Sequence, residues 1–211
     1  MMYERQDQRK NEDAAKFLAL RHVRAVLEQY GKTLKDFGLT MPNVDESALD
    51  NVHREVQKEK DYDKEEQRLK AVELRSQMYP EQAVAFDKIM DDVSNKSPGC
   101  YFIDGPGGAG KTFLYEALLH SVRGQGWIGL ACAWSGIAAV LLQGGRTCHS
   151  RFGLPVPMPR DSVTSSIKAQ SGRAALLKEA RLILWDEAPM APKEALEAVD
   201  VLLRDLCDHD S

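Results

Sequence analysis

Eight consecutive residues carry the clearest chemistry in this chain: Gly105-Pro106-Gly107-Gly108-Ala109-Gly110-Lys111-Thr112. They match the pattern G-x-x-x-x-G-K-[ST] at every fixed position. Glycines let the backbone curl so that successive N–H groups converge on one anion. Pro106 and Ala109 occupy variable positions of the same loop. Lys111 is spaced to reach the β- and γ-phosphates of a nucleotide, and the Thr112 hydroxyl is spaced to hold Mg²⁺. Cys100–Asp104 ahead of the loop reads as a short buried strand, and Phe113–Leu119 behind it as the first turns of a helix. The N-terminus of that helix adds partial positive charge where the phosphates would lie.

A second group completes a hydrolytic set. Leu182-Ile183-Leu184-Trp185 is an apolar run that ends in Asp186-Glu187. The C-terminal ends of strands are where open α/β sheets bind ligands. Asp186 is the natural partner of Thr112 in holding Mg²⁺. Glu187 is the natural general base, taking a proton from the water that attacks the γ-phosphate.

The elements around these residues predict a phosphate-loop α/β fold. Strands are expected at 99–104, 127–132 and 181–185, and helices at 81–93, 111–123, 136–142, 173–180 and 193–206. Strand and helix alternate, which predicts a parallel, doubly wound sheet. Pro155, Pro157 and Pro159, followed by a Ser-rich stretch, mark a long surface loop. Ahead of this domain, residues 11–30 read as an amphipathic helix through Leu20, Val23, Leu27 and Tyr30, with Gly31 as its stop. Pro42-Asn43 is a break. From Arg54 to Arg75, 14 of 22 residues are charged. The signs are mixed, which predicts a solvated helix or linker rather than a nucleic-acid patch. The organisation expected is a charged helical N-terminal region at 1–75 and a phosphate-loop α/β domain at 76–211.

Composition narrows the classes. The chain has 211 residues, a net charge of −4 and a hydrophobic fraction of 43%. A real core is affordable on that fraction, and any nucleic-acid contact must be local. Cys100, Cys132, Cys148 and Cys207 show no C-x-x-C pairing, against a zinc site or a disulfide framework and in favour of a reducing compartment. No apolar run approaches the ~20 residues of a membrane span. Glu4, Asp7, Glu12 and Asp13 argue against a secretory or transit peptide.

Trp185-Asp186-Glu187-Ala188-Pro189-Met190 resembles the second motif of the petite-integration-frequency (Pif) family of DNA helicases. The segment Ser135–Phe152 resembles that family's single-stranded-DNA motif, and Glu81-Gln82 followed by Ala85-Phe86 resembles its adenine-sensing motif. The similarity covers about residues 78–208. Residues 14–42 are similar to the segment upstream of the helicase in Helitron-type transposon proteins. The resemblance implies a RecA-like phosphate-loop lobe and an ATP-dependent, 5′-to-3′ DNA helicase. It implies that Gln82 reads adenine and that Ser135, Gly136, Arg146, Thr147, His149 and Ser150 contact DNA. Arg151 is expected to add positive charge to the same face. Trp134 departs from the family, which usually has a small hydroxyl residue there. Base stacking and packing are both open for Trp134, whereas Trp127 and Trp185 read as core or strand residues.

Ser211 comes 24 residues after Glu187. The expectation is therefore a sheet incomplete at its C-terminus, without the family's glutamine sensor strand, its second motor lobe or its arginine finger. Nucleotide binding is expected of this chain, and unwinding is not. The resemblance implies nuclear work in repair, recombination, telomere maintenance or transposition, although Lys58–Lys70 is too acidic for a good nuclear address. Two other classes stay open at this point. One is a non-motor ATP- or DNA-binding module derived from a transposon helicase. The other is a phosphate-loop kinase of small molecules, which leaves Ser135–Phe152 unexplained.

Overall fold

The computed structural model describes residues 20, 23, 27, 32–41, 55–159 and 163–208. They fall into two compact units, one of residues 1–56 with 168–176 and the other of residues 57–167 with 177–211. The helix expected over 11–30 lies mostly outside the described residues; of it, Leu20, Val23 and Leu27 are helical. The Pro42-Asn43 break and part of the Ser-rich stretch also lie outside them. In the smaller unit, Leu34–Phe37 forms a single 3₁₀ turn closed by Gly38 at φ 68°.

The charged stretch becomes a helix with two unlike faces. Helix α1 spans Lys64–Ser76. Asp63 caps it by accepting from the backbone N–H groups of Glu65 and Glu66 at 2.9 and 3.0 Å. Gln67, Ala71 and Leu74 recur at helical spacing and are buried, so this helix is solvated on one side only. Helix α2 spans Pro80–Asn95, with proline in its first turn. It buries Phe86, Ile89 and Val93. Both helices pack against α3, Lys111–Gly124, which starts directly from the phosphate loop. Leu74, Phe86, Ile89, Val93, Leu114, Ala117, Leu118 and Val122 form one continuous core.

The sheet is parallel, in the order β2-β1-β3. Strand β1 is Ile128–Ala133, buried at every residue, as expected of a strand covered on both faces. It is followed by α4, Gly136–Leu141, and by β2, Arg146–Thr147, a two-residue strand that alternation did not reveal. A short helix, α5, runs from Cys148 to Phe152. Helix α6 covers Gly172–Glu179 and leads into β3, Ala180–Asp186. After a 3₁₀ turn at Ala188–Met190, α7 covers Lys193–Asp208. A second core joins α3 to the sheet through Tyr115, Leu119, Ala131, Leu142 and Leu184.

One expected strand is corrected. Residues 99–104 carry no ladder, and Phe102 is 74% exposed. A strand needs a hydrogen-bonded neighbour, and none of the described residues pairs with this segment or with the free edge of β3. Ile103 alone packs inward, against both cores. Among the described residues no helix is long and apolar enough to cross a membrane.

Candidate functional site

The register of the sheet assembles the site. Ala133 at the end of β1 lies beside Thr147 on one side and Asp186 on the other. The three strands therefore end level, and the residues that follow them emerge from one edge. Sequence spacing separates Thr147 from Asp186 by 39 positions, and the parallel ladder returns them to one row.

The phosphate loop is a main-chain structure. Ala109 N–H donates to the Pro106 carbonyl at 3.2 Å. Gly108 and Gly110 have φ of 80° and 78°, the left-handed region that glycine enters freely. Gly110 is also the N-cap of α3. The N–H groups of that first helical turn have no intrahelical acceptor and are oriented toward the loop. The Lys111 ammonium folds over it, donating to the carbonyls of Gly105 at 2.5 Å and Pro106 at 3.1 Å. Thr112 is exposed on the first turn.

Gln82 is brought to the loop across 28 residues of sequence. Its Nε2 donates to the Ala109 carbonyl at 3.2 Å, and its Oε1 accepts from Tyr79 N–H at 3.0 Å. The same carboxamide thus closes the N-terminus of α2 and braces the start of α3.

At the other side of the row, Asp186 Oδ1 accepts from Glu187 N–H at 2.9 Å. Glu187 has φ 56°, which turns the chain sharply out of the strand. Its Oε2 accepts from Ser135 N–H at 3.1 Å. Tyr115 lies near this end of β3. Burial raises its phenol pKa first, and the negative charge of Asp186 adds to the rise. Sequence reading gave Tyr115 no role, because a tyrosine on a helix carries no distinguishing spacing.

The DNA-motif residues divide into two groups. Ser135 Oγ accepts from Ala138 N–H and caps α4, and Thr147 Oγ1 accepts from Ser150 N–H and caps α5, each at 3.2 Å. Both hydroxyls keep their own O–H free of that bond. Gly136 and Ser150 are exposed, and Arg146 is half-buried in β2. Half-buried His149 packs its ring on Trp134 with centroids 4.5 Å apart, so Trp134 has a packing partner. Trp185 stacks on buried Phe152 at 5.6 Å.

Arg151 is a correction. It is 3% exposed and contributes no surface charge. Its Nη1 donates to Glu59 at 3.0 Å and its Nη2 to the carbonyls of Ala131 and Gly144. Arg123 braces the same turn from α3, donating to the Gln143 side chain and to the carbonyls of Gln143 and Gly129. Its guanidinium lies 4.3 Å from the Tyr62 ring centre. Glu59 and Tyr62 were missed in sequence because they read as members of a solvated charge run, and Arg123 because it reads as the last residue of the helix expected over 111–123. Cys132 and Cys148 are fully buried. A hydrogen bond from Cys132, then burial, pushes the Cys148 thiol far up, which keeps it protonated and unreactive.

A family model described as PIF1-like helicase matches residues 77–211. The chain belongs to that family. It is 31% identical over 106 residues to an ATP-dependent DNA helicase PIF4 of Trypanosoma brucei brucei, a match covering 49% of this chain and 13% of that protein. It is 32% identical over 127 residues to an ATP-dependent DNA helicase Pif1 of Bdellovibrio bacteriovorus, covering 60% of this chain and 27% of that protein. The chain therefore spans a minor part of the curated relatives it matches. The parallel α/β sheet is the architecture expected of a phosphate-loop member of this PIF1-like family.

The donors present suit a magnesium ion. Thr112 and Asp186 offer hard oxygens, and Mg²⁺ takes few protein ligands, completing its shell with phosphate and water. Among the described residues no group of three or more His, Cys, Asp or Glu forms a dedicated metal cage.

Proposed function

We propose that this chain is the nucleotide-binding motor lobe of an ATP-dependent DNA helicase that moves 5′-to-3′ on single-stranded DNA. The observation that carries the reading is the level ending of the three strands. It sets Asp186 beside Ala133, whose other neighbour is Thr147, and Glu187 on the Ser135 N–H, an arrangement that supports coupling between hydrolysis and DNA contact.

In this reading the loop from Gly105 to Gly110 cradles the triphosphate with backbone N–H groups, and Lys111 swings from the loop carbonyls onto the β- and γ-phosphates. Thr112 and Asp186 hold Mg²⁺, which neutralises charge on the phosphate oxygens. Glu187 orients the attacking water and accepts its proton. Gln82 stands at the adenine side, reading the base through the carboxamide that also braces the loop. Ser135, Gly136, Arg146, Thr147, His149 and Ser150 face the strand, the two capping hydroxyls donating their free O–H groups to phosphates. The second motor lobe and its arginine belong to the complete protein. Its work is nuclear, on repair, recombination, telomere or transposition substrates.

The test separates binding from chemistry in the complete protein. Lys111→Ala abolishes nucleotide binding, whereas Glu187→Gln retains binding and loses hydrolysis by on the order of 10²–10⁴-fold. Single-stranded DNA stimulates the wild-type ATPase. Nucleotide binding without stimulation would favour a non-motor module, and normal hydrolysis by Glu187→Gln would remove Glu187 from the base role.

A further inference from the structure

Glu187 is held in an uncommon conformation by two specific contacts. It is a non-glycine residue at φ 56° and ψ 29°, a state that side-chain-bearing residues rarely adopt and that persists only where the surroundings fix it. One contact is its own N–H on Asp186 Oδ1. The other is the Ser135 N–H on its Oε2, which joins it to a residue 52 positions earlier.

Ser135 sits between two unlike neighbours. Its Oγ caps α4, whose residues Ile137, Val140 and Leu141 are 80%, 79% and 68% exposed. Before it, Trp134 leans on His149. The amide that holds the carboxylate therefore belongs to the turn at which the DNA segment begins. A carboxylate that accepts an N–H bond is less free to rotate toward water.

We propose that the Ser135 main-chain N–H is a positioning group that restrains Glu187 until DNA engages the Ser135-Gly136 turn. This rests on the helicase reading above. With the bond formed, Oε2 is tied to the end of β1. When a DNA phosphate draws the turn toward itself, the amide leaves Oε2 and the carboxylate turns to the water. The water oxygen then bonds to the γ-phosphorus as its proton passes to Glu187. The bond from that phosphorus to the β,γ-bridging oxygen breaks, and its electron pair leaves with ADP. The device is a kcat device, because it touches the base and not the phosphate cradle.

Ser135→Pro removes the N–H at a residue whose φ of −91° is near the proline range. In the complete protein, the DNA-free kcat rises at least about tenfold, the worth of a hydrogen bond to a charged group. KM for ATP stays within about twofold, the mark of a change confined to the chemical step. Stimulation by oligodeoxythymidine falls toward unity. Glu187→Asp, one methylene too short to reach the amide, gives a lower rate and the same loss of stimulation. It decides the matter if the proline variant does not fold. A DNA-free kcat that is unchanged or reduced in folded Ser135→Pro overturns the proposal, as does wild-type stimulation in Glu187→Asp. If the wild-type ATPase itself ignores single-stranded DNA, the helicase reading fails instead.

Discussion

Between Gly105 and Lys111 the chain is held by main-chain turns and glycines, whereas between Gln143 and Phe152 it is held by two buried guanidiniums. Pro106 to Ala109 are exposed, and the loop's shape comes from left-handed glycines and one tight turn. The second segment has Arg151 and Glu59 with side chains only 2% and 8% exposed, and Arg123 buried beneath the turn at Gly144. A Cβ on Gly144 would come within 2.6 Å of the Tyr62 hydroxyl and 3.1 Å of Arg123. The loop must leave its amides open to an anion, so it cannot fill itself with side chains. The second segment must present a fixed edge, so it is tied into the core from three directions. A phosphate cradle announces itself by residue type, while a braced edge is built from residues that look like surface charge.

The largest expected effect breaks the second segment. Arg151→Met leaves Glu59 buried without its partner, and loss of one member of a buried pair costs about 3–5 kcal/mol. Denaturant unfolding reads that loss. Adding Glu59→Leu recovers most of it, because two apolar groups no longer leave a charge uncompensated. If Arg151→Met unfolds at the wild-type midpoint, the brace has no weight.

A smaller effect is expected at the loop. Gly110→Ala forces a side chain into φ 78° and sets its Cβ against Gln82 Nε2. The conformational part alone is roughly 1–2 kcal/mol. Nucleotide affinity falls by about tenfold or more, while the thermal midpoint moves far less than in Arg151→Met. Calorimetric titration with nucleotide and a melt on the same sample check both halves. Equal losses in both would mean that the loop is architectural after all.

The smallest effect concerns the seam between α1 and α3. Buried His120 donates from Nδ1 to Gln67 Oε1 at 2.7 Å. Burial lowers its pKa below 6.5, and the charges of Arg123 and Lys70 add to the lowering. In the unfolded chain the ring protonates near 6.5, ahead of the folded state. The stability it contributes is therefore complete above pH 6.5 and is lost as pH falls below that value toward the folded pKa. His120→Gln removes this part of the acid dependence, seen as a flatter melting temperature between neutral and mildly acidic pH. An unchanged slope would assign the dependence to other groups.

Much of the candidate site was legible in the sequence because its chemistry depends on local spacing. The phosphate loop, the Asp186-Glu187 pair and most helices around them stand where residue order put them, since helix periodicity and glycine patterns act within a few positions. Other features depend on which distant residues meet. Residues 99–104 read as a strand by composition, but a ladder needs a neighbour, and pairing is a property of the sheet. Arg151 read as surface charge because an arginine's sequence neighbours do not reveal burial beside Glu59, 92 positions away. The seven-residue reach of the loop, from Gly105 to Lys111, is written in the chain itself. The contact of Ser135 with Glu187 was decided by strand register, which sets two parallel strands level only after everything between them has packed.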